Sequence, residues 1–175
     1  SPFPTDLADV NGILFFGAKD KFTLLGGIYL KNELFKVVNG TVALVYKKCT
    51  DCYSGSSPMN MVNVDGTLFF TAQTLTGGVS AGRELWKSNG TGATLVKEIT
   101  PGSASTLFTP GSFTNVNGRL FFVINGTQLW TSDGTPAGTI KRNDFFGISP
   151  LTSCDGKLFL RLAEDRKSGV EGKSV

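Results

Sequence analysis

The chain predicts an all-β fold of antiparallel four-stranded repeats, stacked as an incomplete β-propeller. Three observations lead there. A string of Asn or Asp, Gly, one variable residue, Leu and then Phe or Leu recurs four times. Glycine and phenylalanine are abundant, 22 and 14 of 175 residues, as expected for strands joined by many turns. Apolar residues also run consecutively inside the recurring string, so both faces of that strand are expected to be buried, which stacked sheets can do.

The first repeat, 7–58, opens with VNGILFF (10–16), turning at Gly12. It continues through a long connection, 17–32, into NELFKVVNGT (32–41), with Phe35 at its aromatic position. The second, 59–110, carries VDGTLFF (64–70) with Gly66, a connection at 71–83, and RELWKSNGT (83–91) with Trp86. The third, 111–150, carries VNGRLFF (116–122) with Gly118 and TQLWTSDGT (127–135) with Trp130, joined by Asn125-Gly126 alone. A partial fourth, 151–164, holds CDGKLFL and Gly156. The four turn glycines lie 54, 52 and 38 residues apart, the spacing of a propeller or solenoid repeat.

The third repeat is the most explicit. A two-residue Asn-Gly loop takes a type I′ turn, which sets Ile124 opposite Thr127, Phe122 opposite Leu129 and Phe121 opposite Trp130. Asn117-Gly118 pairs Val116 with Arg119, and the SDGTPAGT turn, with Asp133-Gly134, leads to a fourth strand. The expected meander is 112–116, 119–124, 127–131 and 138–143. In the first two repeats the long connections 17–32 and 71–83 replace the tight turn and are read as loops on a fixed scaffold, where a partner would bind.

Composition removes several function classes. The chain has no histidine, which excludes Ser-His-Asp and Cys-His nucleophile systems and His-ligated metals. The net charge of +3 is small and its basic residues are scattered, unlike a nucleic-acid binder. No run of apolar residues is long enough for membrane insertion as a helix. The chain opens at Ser1 without signal-peptide features, and 165–175 abandons the repeat pattern. It is read as a non-native tail without ordered contacts, the rest as a fragment.

RELWKSNGTG, QLWTSDGTPAGT, VKEITPGSAS and NVNGRLFF together resemble the ELWxxDGT repeat (hyalin-like repeat) family. The likeness is close over 60–164 and looser over 7–58, where Phe35 stands for Trp; Asn89 stands for Asp in the second repeat. The resemblance implies a large secreted or cell-surface protein, a propeller-like fold and no established chemistry. The expected function is therefore a non-catalytic structural or binding module, not an enzyme, meeting a protein or carbohydrate ligand through blade loops. The remaining blades of a parent protein would be its other partners. The alternative is a carbohydrate-active propeller, lectin-like or hydrolytic, with catalytic residues partly outside this chain.

Each candidate site residue also has a structural reading. Trp86, Trp130 and Phe35 occupy one repeat position, which suits a wedge between stacked sheets; exposed rings would suit sugar stacking. Glu33 and Glu84 precede that aromatic and become Gln128 in the third repeat, which points to a strand-surface or inter-blade hydrogen-bonding role. Asp133-Gly134-Thr135 and Asn89-Gly90-Thr91 are read as turns bonding their own backbone. No cofactor is implied; calcium stays open at these turns, although it wants six to eight oxygens. Cys49 and Cys52 suit a local disulfide, and Cys154, aligned with Val10, Val64 and Val116, is read as a small buried hydrophobe. Lys47-Lys48 and Lys141-Arg142, in or after outer strands, are read as charges that protect a sheet edge.

Overall fold

The computed structural model describes residues 5–24, 27–47, 55–76, 79–102, 105–109, 111–148 and 150–163. Lys48, Cys49, Cys52 and the tail 165–175 lie outside the described residues. The described residues form fourteen strands and no helix, so none could cross a membrane as a helix.

Three four-stranded antiparallel sheets and one hairpin follow each other along the chain. The first sheet is β1 (Thr5–Val10), β2 (Ile13–Leu24), β3 (Gly27–Val38) and β4 (Thr41–Tyr46). The second is β5 (Met59–Val64), β6 (Thr67–Thr76), β7 (Val79–Ser88) and β8 (Ala93–Lys97). The third is β9 (Thr114–Val116), β10 (Arg119–Ile124), β11 (Gln128–Ser132) and β12 (Ile140–Asp144). The hairpin is β13 (Thr152–Cys154) with β14 (Lys157–Phe159). Every strand pairs with a sequence neighbour, and each sheet falls within one sequence repeat apart from Thr5 and Asp6, which precede the first.

The turns explain this order. Asn11-Gly12, Asn39-Gly40, Asp65-Gly66, Asn117-Gly118, Asn125-Gly126 and Asp155-Gly156 all have positive φ at both residues, between 46° and 80°. That is the type I′ conformation, whose twist matches paired strands, and Asn, Asp and Gly tolerate it best.

A second regularity was not read from the sequence. In each sheet the pairing to the fourth strand slips at the same place, between Leu34 and Phe35, Leu85 and Trp86, and Leu129 and Trp130. The unpaired extra residue is Val45, Val96 or Arg142 on the outer strand. A bulge there increases the local twist.

Two expectations are corrected. Connections 17–32 and 71–83 are not loops. Among the described residues they are ladder: β2 and β3 pair from Leu14↔Val37 out to Leu24↔Gly27, and β6 and β7 from Leu68↔Ser88 out to Thr76↔Val79 with one register shift between Gln73 and Leu75. The first two repeats therefore carry extended β-arms where the third closes quickly.

The register of that third hairpin is also one residue off the expectation: Ile124 pairs with Gln128, Phe122 with Trp130 and Phe121 with Thr131. Asn125-Gly126 still turns, with Thr127 N–H bonded to the Ile124 carbonyl at 3.2 Å. Thr127 is left outside the ladder because its carbonyl accepts Phe145 N–H at 2.8 Å, while the Gly126 carbonyl accepts Ile148 N–H. β11 accordingly starts and ends one residue later than predicted and β12 starts two and ends one later, while β10 keeps its predicted bounds and β9 starts two later. The corrected register places the last aromatic of the LFF string opposite the repeat aromatic in every sheet: Phe16↔Phe35, Phe70↔Trp86 and Phe122↔Trp130.

The chain divides into two compact units, Ser1–Thr106 and Leu107–Val175. In the first, Val10, Phe15 and Leu34 from one face of the first sheet pack against Leu68, Phe70, Ala72 and Trp86 from the aromatic face of the second. Asn11 marks the meeting of the turns, since a Cβ on Gly66 would lie 2.7 Å from its Nδ2. In the second unit Val123 and Leu129 pack with Ile148, Leu151, Leu158 and Leu160. There Asn117 Nδ2 donates to the Gly156 carbonyl at 2.9 Å, the same turn-to-turn contact.

Cys154 is exposed, not buried as its alignment with the three buried valines implied. Those valines sit in four-stranded sheets, whereas β13 and β14 form a two-stranded hairpin whose corresponding face is open; Phe159, aligned with buried Phe15, is 46% exposed. Lys141 and Arg142 lie on β12, an outer strand exposed along its whole length. Lys47, just after β4, instead reaches Asp20 at 3.0 Å.

Candidate functional site

The most organised polar chemistry lies where a connector leaves each arm base. Of the two roles expected for Glu33 and Glu84, a strand-surface one does not hold, since both are fully buried, and both accept hydrogen bonds. Glu33 Oε2 accepts Ser56 N–H at 2.9 Å. Glu84 Oε2 accepts Ile99 N–H at 2.7 Å, and both its oxygens lie 3.0 Å from Thr106 Oγ1, which also reaches Thr100 Oγ1 at 2.8 Å. Beside each, the preceding residue offers its carbonyl: Asn32 to Ser57 N–H at 2.8 Å and Arg83 to Thr106 N–H at 3.0 Å. Thr127, before Gln128, does the same for Phe145 N–H. This repeat position therefore fastens the segment that leaves the sheet.

Burying a carboxylate disfavours its charged form. Burial pushes Glu84 up to about 7, against the hydrogen bonds from Ile99, Thr106 and Thr100 that favour ionisation; Glu98 adds to the rise. Burial, followed by the nearby Glu33, holds the Tyr46 phenol well above its ordinary value. Ser56, Thr100, Thr106 and Tyr46 were missed from the sequence. Their one signal was a carboxylate within an apolar strand, which needs donors, found here 23 residues on at Ser56 and 22 at Thr106.

The aromatic position behaves differently in each repeat. Trp86 is 9% exposed, its ring 4.6 Å from Tyr46 of the first sheet and its indole N–H bonded to Thr74 Oγ1 at 3.1 Å. It is a wedge between two sheets. Trp130 is half-buried and stacks on Phe122 in its own sheet at 6.2 Å, donating to Gln128 Oε1 at 3.3 Å. Phe35 stacks on Phe16 at 6.0 Å on a face left partly open.

The Asn89 and Asp133 turns are nearly superimposable in their bonding. Asn89 Oδ1 accepts Thr91 N–H at 3.1 Å and Thr91 Oγ1 at 2.8 Å; Asp133 Oδ1 accepts the Thr135 groups at 2.9 and 2.7 Å. Ser88 and Ser132 hydroxyls accept the glycine N–H at 2.9 and 3.0 Å. These hydrogen bonds, from the Thr135 hydroxyl first, hold the Asp133 carboxyl below the ordinary range. A Cβ on Gly138 would overlap the Asp133 carboxylate. Asn39-Gly40-Thr41 spells the same string but forms a two-residue hairpin, Val38↔Thr41; Val37 and Val38 stand where Ser88 or Ser132 would supply a hydroxyl.

Open recesses lie among the described residues. One, of about 360 Å³, is lined by Thr67, Lys87, Asn89, Thr91 and Thr94 beside the Asn89 turn; the other, about 320 Å³, by Gly126, Ile148, Arg161 and Leu162. Among the described residues no group of three or more Cys, Asp or Glu is placed to hold a metal ion. The β2–β3 arm carries exposed apolar residues instead, Ile28 at 64% and Leu30 at 57%. Compared with family models, curated proteins and solved structures, the chain finds no match.

Proposed function

We propose that the chain is a non-catalytic structural and binding module of a secreted or cell-surface protein. In this reading its sheets are blades of a propeller of the ELWxxDGT kind, and it meets a protein or glycan through the β2–β3 and β6–β7 arms. The observation that carries the reading is the arms themselves: twelve- and ten-residue strands extend one hairpin position in two successive repeats, while the third repeat closes it with three residues. Exposed Ile28 and Leu30 on one arm suit a partner contact. The repeat carboxylates support a structural role, because buried backbone and hydroxyl donors occupy them. The packing of the first sheet on the aromatic face of the second supports the propeller reading.

The test is to trim both arms, deleting 23–28 and 75–80 and closing each with Asn-Gly, then to compare trimmed and intact chains on glycan and extracellular-protein arrays. Binding by the intact chain and its loss on trimming, with the far-UV circular dichroism of a β protein retained, is the expected result. Binding that survives trimming overturns the arm assignment. Turnover of a bound glycan by the intact chain overturns the non-catalytic one.

A further inference from the structure

An asparagine followed by glycine can lose its side-chain amide to its own backbone, because glycine leaves the attacking nitrogen unshielded. The chain has five such pairs, at Asn11, Asn39, Asn89, Asn117 and Asn125. All five asparagines are exposed, so water reaches each of them. What differs is the hold on the two reacting groups, the Asn carboxamide and the Gly N–H.

Four of the pairs are held. Gly12 N–H donates to Asp9 Oδ1 at 3.3 Å and Gly118 N–H to Asn115 Oδ1 at 3.1 Å. Gly90 N–H donates to Ser88 Oγ at 2.9 Å and Gly126 N–H to Thr109 Oγ1 at 3.0 Å. Two carboxamides are engaged as well: Asn89 Oδ1 accepts both Thr91 groups, and Asn117 Nδ2 donates to the Gly156 carbonyl. Attack in these turns must first break a bond. At Asn39-Gly40, Val37 stands in the place of Asp9 and Asn115, and Val38 in that of Ser88. Among the described residues no side chain accepts the Gly40 N–H and none bonds the Asn39 carboxamide, and a Cβ on Gly40 would meet nothing within 4 Å.

We infer that Asn39 is a site of spontaneous deamidation and isoaspartate formation, with water as the only co-reactant. Gly40 N gives its proton to solvent and bonds to Asn39 Cγ. The Cγ–Nδ2 bond breaks as Nδ2 takes a proton from water and leaves as ammonia, closing a succinimide ring. Water then adds to either ring carbonyl and opens the ring, to aspartate by one route and to isoaspartate by the other. Isoaspartate carries the chain through its side-chain carbon, adding a methylene to a two-residue type I′ turn that then cannot keep its Val38↔Thr41 closure. The element loosened is the outer strand β4. The inference is independent of the ligand role given to the arms.

The experiment is peptide mapping of the folded full chain held in warm, mildly alkaline buffer. Trypsin leaves each of the five pairs in its own peptide, Asn39 in 37–47. That peptide is expected to gain its acid and isoaspartate forms about tenfold faster than the other four, the factor for a reaction spared one broken hydrogen bond. Peptides digested first and then incubated are expected to converge on similar rates. Asp9→Ala, at an exposed position, removes the acceptor from Gly12 and is expected to bring Asn11 up towards the Asn39 rate. A folded chain in which another pair leads, or in which Asn39 only keeps pace with the rest, overturns the inference. So does a lead for Asn39 that is just as large in the free peptides, or an Asn11 rate that Asp9→Ala leaves unchanged.

Discussion

The second and third sheets share a frame and differ in what is attached to it. Both have type I′ turns before β6 and β10, a Phe–Trp pair in the same register, a bulge at the Trp and an Asx turn after it. They part at the arm, ten-residue strands against a three-residue turn, and at the tether, Glu84 against Gln128. The two tryptophans also find different indole acceptors, Thr74 and Gln128. The difference teaches that turns and the aromatic pair define the repeat, while hairpin length and tether charge are free to vary on it.

The largest expected effect breaks the frame. Phe70 and Phe122 are both fully buried opposite their tryptophans. Phe70→Ala and Phe122→Ala should each cost about 3–5 kcal/mol, read from urea unfolding. Matched losses would support a common frame; a loss under about 1 kcal/mol in either sheet would show that its Phe–Trp pair is not structural.

The tether should separate the two sheets by pH. The Glu84 pKa is raised from 4.5 to about 7 in the fold, so the folded chain holds the proton more tightly than the unfolded one. Its contribution is fully present below about pH 4.5 and is lost as pH rises through about 7, amounting to about 3 kcal/mol. Glu84→Gln, which installs the residue type found at Gln128, should flatten that slope. Urea midpoints at pH 4.5 and 8 measure it, and an unchanged slope in the variant would assign the pH dependence elsewhere.

The smallest effect sharpens the likeness of the Asx turns. Asp133→Ala removes acceptors for Thr135 and should cost about 1 kcal/mol. Asp133→Asn, which copies Asn89, should stay within about 0.5 kcal/mol of wild type in the same thermal melt. A larger loss would mean that the Asp133 charge matters, through Arg119 at 3.9 Å.

Much of the frame was legible because its determinants are local. Asn-Gly and Asp-Gly need no neighbours to prefer a type I′ turn, and consecutive Leu-Phe-Phe fits a strand buried on both faces. What escaped depends on distant partners. The register at Asn125-Gly126 shifts by one because Phe145 and Ile148 claim the loop carbonyls. Glu33 and Glu84 read as either strand-surface or hydrogen-bonding positions until Ser56, Ile99 and Thr106 are brought to them. Cys154 was misplaced because alignment with Val10 assumes a complete sheet around it. The extended arms were misread because glycines and mixed polarity at 71–83 resemble a loop, yet strand pairing resumes past a shift in register, from Gln73↔Arg83 to Leu75↔Ser80 and Thr76↔Val79.

The strictly consecutive strand order has a kinetic corollary. Each sheet is a meander in which no strand waits for one made much later, so closing its ladders needs only short loops and little chain entropy. A chain emerging from the ribosome can complete its first sheet before the second is synthesised. Glu33 and Glu84 then accept their donors only after the following connector has appeared. Sheet formation and the fastening of one repeat to the next are thereby separated in time, with the buried carboxylates joining late.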